Sequence, residues 1–404
     1  MIDVDEAQRI VLAHARPLGT VKAPLAEALH RTLAAPIRCD LDDPPFDRSV
    51  MDGYAVRAAD VARAPLTLTV VGHVAAGTVV DGPLAAGEAM QINTGAPIPR
   101  GTDAVVRVER TERTPSGEGV LIKESVAPGQ FVTPRASYAA AGQTVLEAGV
   151  LLTPANIGVA ATAGAARVNV YRRPTVAVLA TGDELVDIDQ VPTAAQIRNS
   201  NQYLLRALIE SAHSEAVALP VARDNRDELR RGITDGLRCD VLCLAGGVSM
   251  GTLDFVPDVL REFGATFHVH KMAVKPGRPT IFATMPDGKL VFALPGNPVG
   301  AFVGFELLVR PALAALQGRP AVPPLVRAVL QGSIAATSNR RSYIPARAKV
   351  NKVGEWEVRT LSWHGSGDSL GMATANALIM RPPQAEAVKS GDAVSMLLLD
   401  RGED

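Results

Sequence analysis

Residues 240–254 constrain the fold more than any other stretch. They read Asp-Val-Leu-Cys-Leu-Ala-Gly-Gly-Val-Ser-Met-Gly-Thr-Leu-Asp. Residues 241–245 form a short unbroken apolar run, the pattern of a strand buried on both faces. The run stops at Gly246 and Gly247, which tolerate positive φ and let another molecule approach the backbone. Ser249 and Asp254 follow, and a helical pattern then runs over 255–263. Buried strand, glycine turn and helix start are the parts of an open α/β sheet, whose ligands bind beyond the carboxyl ends of its strands.

The neighbouring sequence extends this pattern. After Pro174, strands are expected at 175–180, 216–221, 241–245, 266–269 and 290–293. Helices are expected at 202–211, 226–237, 255–263 and 299–316. The alternation predicts a doubly wound, mostly parallel α/β domain with right-handed crossovers. At 404 residues the chain exceeds one ordinary core, so further domains are required. Residues 3–16 read as an amphipathic helix capped by Asp3, and 25–31 as a second short helix. From 47 to 146 the texture turns to alternating strands at 66–71, 104–109 and 119–123, an inserted small β domain. The helical pattern returns at 147–171. Four domains are therefore expected: a discontinuous N-terminal helical domain (1–46 and 147–173), the inserted β domain (47–146), the α/β domain (174–320) and a C-terminal β-barrel-like domain (321–404).

Composition excludes several classes of function. A net charge of −1 gives no electrostatic reason for nucleic-acid binding, and 4% aromatics leave little for base stacking. Three cysteines, an odd number, argue against a disulfide framework and for a reducing compartment. Cys239 and Cys243 are expected as core residues. The acidic N-terminus lacks a leader pattern, and no uninterrupted apolar run is long enough for a bilayer. A cytoplasmic protein without membrane contact is expected.

Several loops could carry chemistry. Thr181-Gly-Asp-Glu-Leu185 follows the first α/β strand; its two acids can hold a hard cation, or form a solvated turn. Gly247-Val-Ser-Met-Gly251 fits a hydrolase nucleophile elbow, with His268, His270 and His364 as possible partners. Five strands are few for that fold, which favours reading the loop as an anion cradle. Lys271, Lys275 and Arg278 lie within eight positions beside Pro276 and Pro279 and can neutralise an oxyanion; a solvated basic loop is the plainer alternative. In Leu294-Pro-Gly-Asn-Pro298, Asn297 suits an N-cap and Pro298 the first helical position. Two turns of the β segment, Ser49-Val-Met-Asp-Gly-Tyr-Ala55 and Asn93-Thr-Gly-Ala-Pro97, complete the set.

Taken in order, these six motifs, with Pro44-Pro-Phe-Asp ahead of Arg48, resemble the molybdopterin molybdenumtransferase family, to which the C-terminal portion of gephyrin is related. The resemblance spans residues 1–390 or so. It implies insertion of molybdate into adenylylated molybdopterin with Mg²⁺, releasing AMP. It also implies a homodimer, with the active cleft between the α/β domain of one subunit and the β domain of the other, and transient contact with the adenylyltransferase of the pathway. By the same resemblance, Asp52, Glu184, Asp224, Asp254, Lys271 and Lys275 are expected to be catalytic. Of these, Glu184, Asp224 and Asp254 are the expected metal ligands. Substrate binding is expected from Thr94, Gly246, Gly247, Ser249, Arg278, Pro295, Gly296, Asn297, Pro298, Ser366 and Ser369.

Two stretches depart from the family pattern. Where an Arg-x-x-Gly-Glu-Asp-Ile stretch is usual, this chain has Arg135-Ala-Ser-Tyr-Ala-Ala-Ala-Gly142. In Gly365-Ser-Gly-Asp-Ser-Leu-Gly371, glycine replaces an expected serine at 371. These changes leave open a non-catalytic scaffold that kept the fold, and an enzyme selective for tungstate.

Overall fold

The computed structural model describes residues 1–247 and 255–399. By its internal contacts the chain divides into two compact units. The first comprises residues 1–21, 30–34 and 170–404, and the second comprises residues 22–29 and 35–169.

The first unit is built around a six-stranded sheet. Its order is Glu215–Ala218, Thr175–Ala180, Val241–Ala245, Leu290–Leu294, Ile281–Thr284 and Thr266–Val269. The first four strands run parallel, with Val178 opposite Cys243 and Cys243 opposite Phe292. All five residues of Val241–Ala245 are buried. Alternate side chains go to opposite faces, the period of any strand. Val176, Val178, Cys243, Phe292 and Leu294 meet the helices Val4–His14, Ser200–Ser211 and 298–316 on one side. Ala177, Leu179, Leu242, Leu244, Val291 and Ala293 meet Arg226–Gly236 and Val256–Glu262 on the other.

Strand Ile281–Thr284, not expected from the sequence, pairs antiparallel with Leu290–Leu294. It is short and lies between Pro279 and Pro286, which masked it. The Pro-Asp-Gly turn at 286–288, with Gly288 at φ 84°, makes the hairpin. The first helix also departs from expectation. Asp3 caps it as predicted, accepting from the Asp5 N–H at 2.9 Å. Its apolar stripe of Val4, Ala7 and Val11, however, packs on the α/β sheet rather than with residues 147–173. Residues 25–31 hold only a single 3₁₀ turn, Leu25–Glu27.

The helix over 298–316 changes pitch in the middle, from α (Pro298–Gly304) through π (Phe305–Val309) to α (Arg310–Leu316). Pro311 explains the change: it lacks an N–H, and its ring would meet the carbonyl of Leu307 in an ordinary α-helix. This is the one described helix long and apolar enough to cross a membrane, but 83% of its apolar window is buried inside the unit, as in a core helix.

Residues 326–398 close a five-stranded barrel. Arg341–Val350 pairs with both Trp356–Thr360 and Ala377–Arg381, and Val326–Leu330 and Ala393–Leu398 complete the ring. Val274–Lys275 leaves the α/β sheet and adds to this barrel, parallel to Arg341 and Ser342.

The second unit holds its own six-stranded sheet, ordered Ala104–Arg107, Gly53–Val56, Glu88–Ile92, Leu66–Val74, Gly119–Ile122 and Thr111–Arg113. The short strand Gly53–Val56 is buried throughout. A side chain on Gly53 would overlap the Val106 carbonyl, so only glycine fits there.

His213 and His30 stack with ring centroids 4.6 Å apart. Burial, followed by Arg319 and His30, pushes the His213 pKa down to about 4. Because the folded state resists protonation, stability is full above the unfolded value near 6.5 and falls as pH drops from there toward 4. His213 keeps some solvent access, so screening reduces the loss to about 1–2 kcal/mol. Asparagine tolerates the φ of 58° at this position. His213→Asn should flatten the fall of Tm between pH 7 and 4.5 in thermal melts; an unchanged slope would place the acid lability elsewhere.

Candidate functional site

The loops that leave the parallel strands are laced together at their carboxyl ends. Thr181 N–H donates to the Ala245 carbonyl at 3.0 Å, and Gly182 N–H to Ala222 at 3.2 Å. Arg223 donates from Nη1 to the Asp183 carbonyl at 2.7 Å, and the Asp224 N–H reaches Asp183 Oδ1 at 3.2 Å. Glu184 and Asp224 therefore stand on adjacent loops, and the Glu184 carboxylate folds over Gly182, where a side chain would collide with it. Gly246 N–H donates to the Leu294 carbonyl at 3.1 Å. Gly246 and Gly247 lie at φ 100° and 65°, and a Cβ on Gly246 would come within 2.6 Å of the Thr181 carbonyl oxygen. Here glycine is required for close approach of two backbones as well as for conformation.

The next loop joins from the other side. Asn201 Nδ2 donates to the Gly296 carbonyl at 2.6 Å, and Asn297 Nδ2 to Ser366 Oγ at 2.9 Å. Asn297 occupies the N-cap position before Pro298, but its side chain makes no cap and is spent on Ser366 instead. Val299 N–H donates to the Ser366 carbonyl, fixing the 365–371 loop against the helix start. Buried Pro295 touches Gly300: a Cβ on Gly300 would lie 3.2 Å from that of Pro295 and 3.5 Å from Gly277 N. The Lys275-Pro-Gly277 turn therefore rests on the same edge. Lys275 and Arg278 are exposed, and the Lys271 carbonyl accepts from the Ile2 N–H. Beside Lys275 a groove of about 210 Å³ is lined by Ile334, Thr337, Ser342, Tyr343 and Trp363.

Two buried polar atoms on this edge, Thr181 Oγ1 and Asn201 Oδ1, have no hydrogen-bond partner among the described residues. Buried polar groups are normally paired, so such atoms mark places where a ligand can supply the bond. Ser249 and Asp254 lie outside the described residues. Among the described residues no three His, Cys, Asp or Glu side chains converge closely enough to cage a metal. Ser369 is exposed on the 365–371 loop.

Asp52 and Thr94 belong to the second unit and sit together there. Asp52 Oδ1 accepts from the Thr94 N–H at 2.8 Å and from Asn93 Nδ2 at 3.3 Å. The Thr94 amide, then the Asn93 side chain, holds the Asp52 carboxyl below the usual carboxylate range.

Three family models match the chain in order: the MoeA N-terminal region (domain I and II) over residues 2–164, a probable molybdopterin binding domain over 177–315, and the MoeA C-terminal region (domain IV) over 327–399. A molybdopterin molybdenumtransferase from Nostoc is 36% identical over 91% of this chain and 86% of its own length. One from Haemophilus influenzae is 33% identical over 98% of both. The chain belongs to the molybdopterin molybdenumtransferase family.

The crystal structure of a molybdopterin biosynthesis MoeA protein from Pyrococcus horikoshii superposes with a TM-score of 0.83 at 29% identity, covering 98% of this chain and all of that one. Family membership makes the protein an enzyme of molybdenum cofactor biosynthesis.

Against the family pattern, both departures are built into the local structure. Ala139 is buried and exchanges backbone hydrogen bonds with Asp43, while Asp42 takes Arg135 Nε at 2.6 Å and the Ala141 N–H at 2.8 Å. A Cβ on Gly371 would come within 2.6 Å of the Trp363 Cβ, and Asp368 Oδ1 accepts the Gly371 N–H. The sequence reading passed over Asn201, Tyr343 and Trp363. Asn201 meets Gly296 95 positions away, and no local pattern signals such a contact. His268, weighed as a hydrolase base, lies against His14 with ring centroids 4.0 Å apart and planes tilted by 38°, and bonds Thr284, a packing role at the sheet edge.

Restoring the family's serine with Gly371→Ser should overpack this loop and destabilise the protein by about 1–3 kcal/mol. Urea unfolding measures this, and an unchanged midpoint would show that the loop gives way without cost.

Proposed function

We propose that this enzyme inserts molybdate into adenylylated molybdopterin, places molybdenum on the dithiolene and releases AMP, working in the cytoplasm as a homodimer. One observation carries the reading: loops from four parallel strands, the Lys275 turn and the Ser366 loop are bonded or packed onto one edge, where Thr181 and Asn201 keep unpaired polar atoms. The substrates are a pyrophosphate-linked polyanion and a tetrahedral dianion. Lys271, Lys275 and Arg278 supply positive charge to them, the backbone at Gly247 and Gly296 supplies N–H donors, and Gly246 lets the neighbouring loop close in beside them. Asn297 and Ser366 brace each other at the helix start, which fixes the donors before substrate arrives. Asp52 and Thr94 keep the roles that the resemblance gave them.

Glu184 and Asp224 fit Mg²⁺ as oxygen donors on adjacent loops, since this ion keeps several waters and takes one or two carboxylates. Bound there, it would draw charge from the phosphates as AMP leaves; the resemblance gives Asp254 as a third ligand. The adenylylated substrate implies a transient handover from the adenylyltransferase of the pathway. A four-domain organisation, with an inserted β domain at 47–146, an α/β domain at 174–320 and a barrel from 321, accompanies this reading.

The test is AMP release from adenylylated molybdopterin with Mg²⁺ and either molybdate or tungstate. Release dependent on the oxyanion is expected; binding without release would leave a scaffold. Asp52→Ala and Lys275→Ala should each lower turnover at least about ten-fold while Tm stays close to wild type. Normal turnover in both would overturn the site assignment.

A further inference from the structure

A residue outside every motif of the sequence completes the Asp52 cluster. His73 is the last residue but one of the strand Leu66–Val74, just after a register shift against Glu88–Ile92. Such an irregularity re-aims side chains, and here it sets His73 beside the Asn93–Thr94 turn. His73 Nε2 lies 2.6 Å from Asn93 Oδ1, and Asn93 Nδ2 lies 3.3 Å from Asp52 Oδ1.

The chemistry of these groups fixes the direction of each bond. An ionised carboxylate only accepts, so the Asn93 amide must present NH₂ to Asp52 and its carbonyl to His73. The imidazole nitrogen facing that carbonyl must then carry a proton and donate. Without a donor at His73, the 3.3 Å bond to Asp52 alone would hold the amide in this sense, and the Asn93 carbonyl would lose its 2.6 Å partner.

We infer that His73 is a positioning residue: through the Asn93 side chain it fixes the orientation of the Asp52 carboxylate for the reaction. The inference rests on the proposed function for its catalytic consequence, but not for the hydrogen-bond relay itself. Among the described residues Asp52 enters no ion pair. The charged groups on adjoining strands are engaged elsewhere: Arg113 with Gln91 and Tyr54, and Arg107 with Glu124. The relay then acts on Asp52 beside the Thr94 amide and the Thr94 side chain.

The experiment compares full-length His73→Phe, which cannot donate, with His73→Gln, whose amide can. The Asp52 carboxyl is followed by ¹³C NMR titration, and AMP release is followed against pH. In His73→Phe the Asp52 midpoint and the acid limb of the pH profile should both move to higher pH. Its kcat should fall roughly five-fold with KM little changed. His73→Gln should restore most of both. An Asp52 midpoint equal to wild type in folded His73→Phe overturns the inference, as does a Gln variant no better than Phe. If His73→Phe does not fold, His73→Leu serves in its place. Should wild type release no AMP, the functional reading fails, while the NMR titration still decides the relay.

Discussion

Burial of Val241–Ala245 on both faces is the constraint on which the first unit depends. A strand with no solvent face must be flanked by strands on either edge and covered by helices above and below. The flanking strands are Thr175–Ala180 and Leu290–Leu294, and the two helical layers divide their side chains by simple alternation. Its lower end is anchored by Asp240, which accepts both Arg172 Nη atoms and the Thr175 N–H and hydroxyl. At its upper end Gly246 approaches the Thr181 loop, and Gly247 the Val256 side chain, too closely for any side chain. The edge that results is where polar loops gather and chemistry becomes possible.

That edge draws on parts of the chain that a domain list would separate. Val274–Lys275 arises between α/β strands yet pairs with the barrel strand at Arg341 and Ser342. Ser366 comes from a barrel loop yet bonds Asn297 at the start of a core helix. Arg341 in turn holds Asp5 on the first helix. Lys275 and Ser366 are therefore positioned by two frameworks at once, which limits how far either can drift.

The candidate site was partly legible in the sequence. Glycine pairs after apolar runs, acids at strand ends and the Asn-Pro helix start all mark local geometry, and local geometry is what a short motif can encode. The actual partner of Asn297 was not legible. As an N-cap residue it was expected to bond its own helix, but Ser366, 69 positions away, takes its side chain. Asn201 and His73 escaped notice for the same reason: each matters only through what it touches across the fold.

The sequence by itself determined the buried central strand, the capped first helix, the mostly parallel sheet and the closing β segment, because periodicity and turn residues report which faces are apolar. It also carried family membership, since six motifs in order cannot be mimicked by composition. Only the tertiary structure decided that the first helix covers the α/β sheet, that Ile281–Thr284 completes that sheet, and that Lys275 joins the barrel. Those outcomes rest on which apolar surfaces and strand edges find each other, a matter of non-local contact that no window of sequence contains.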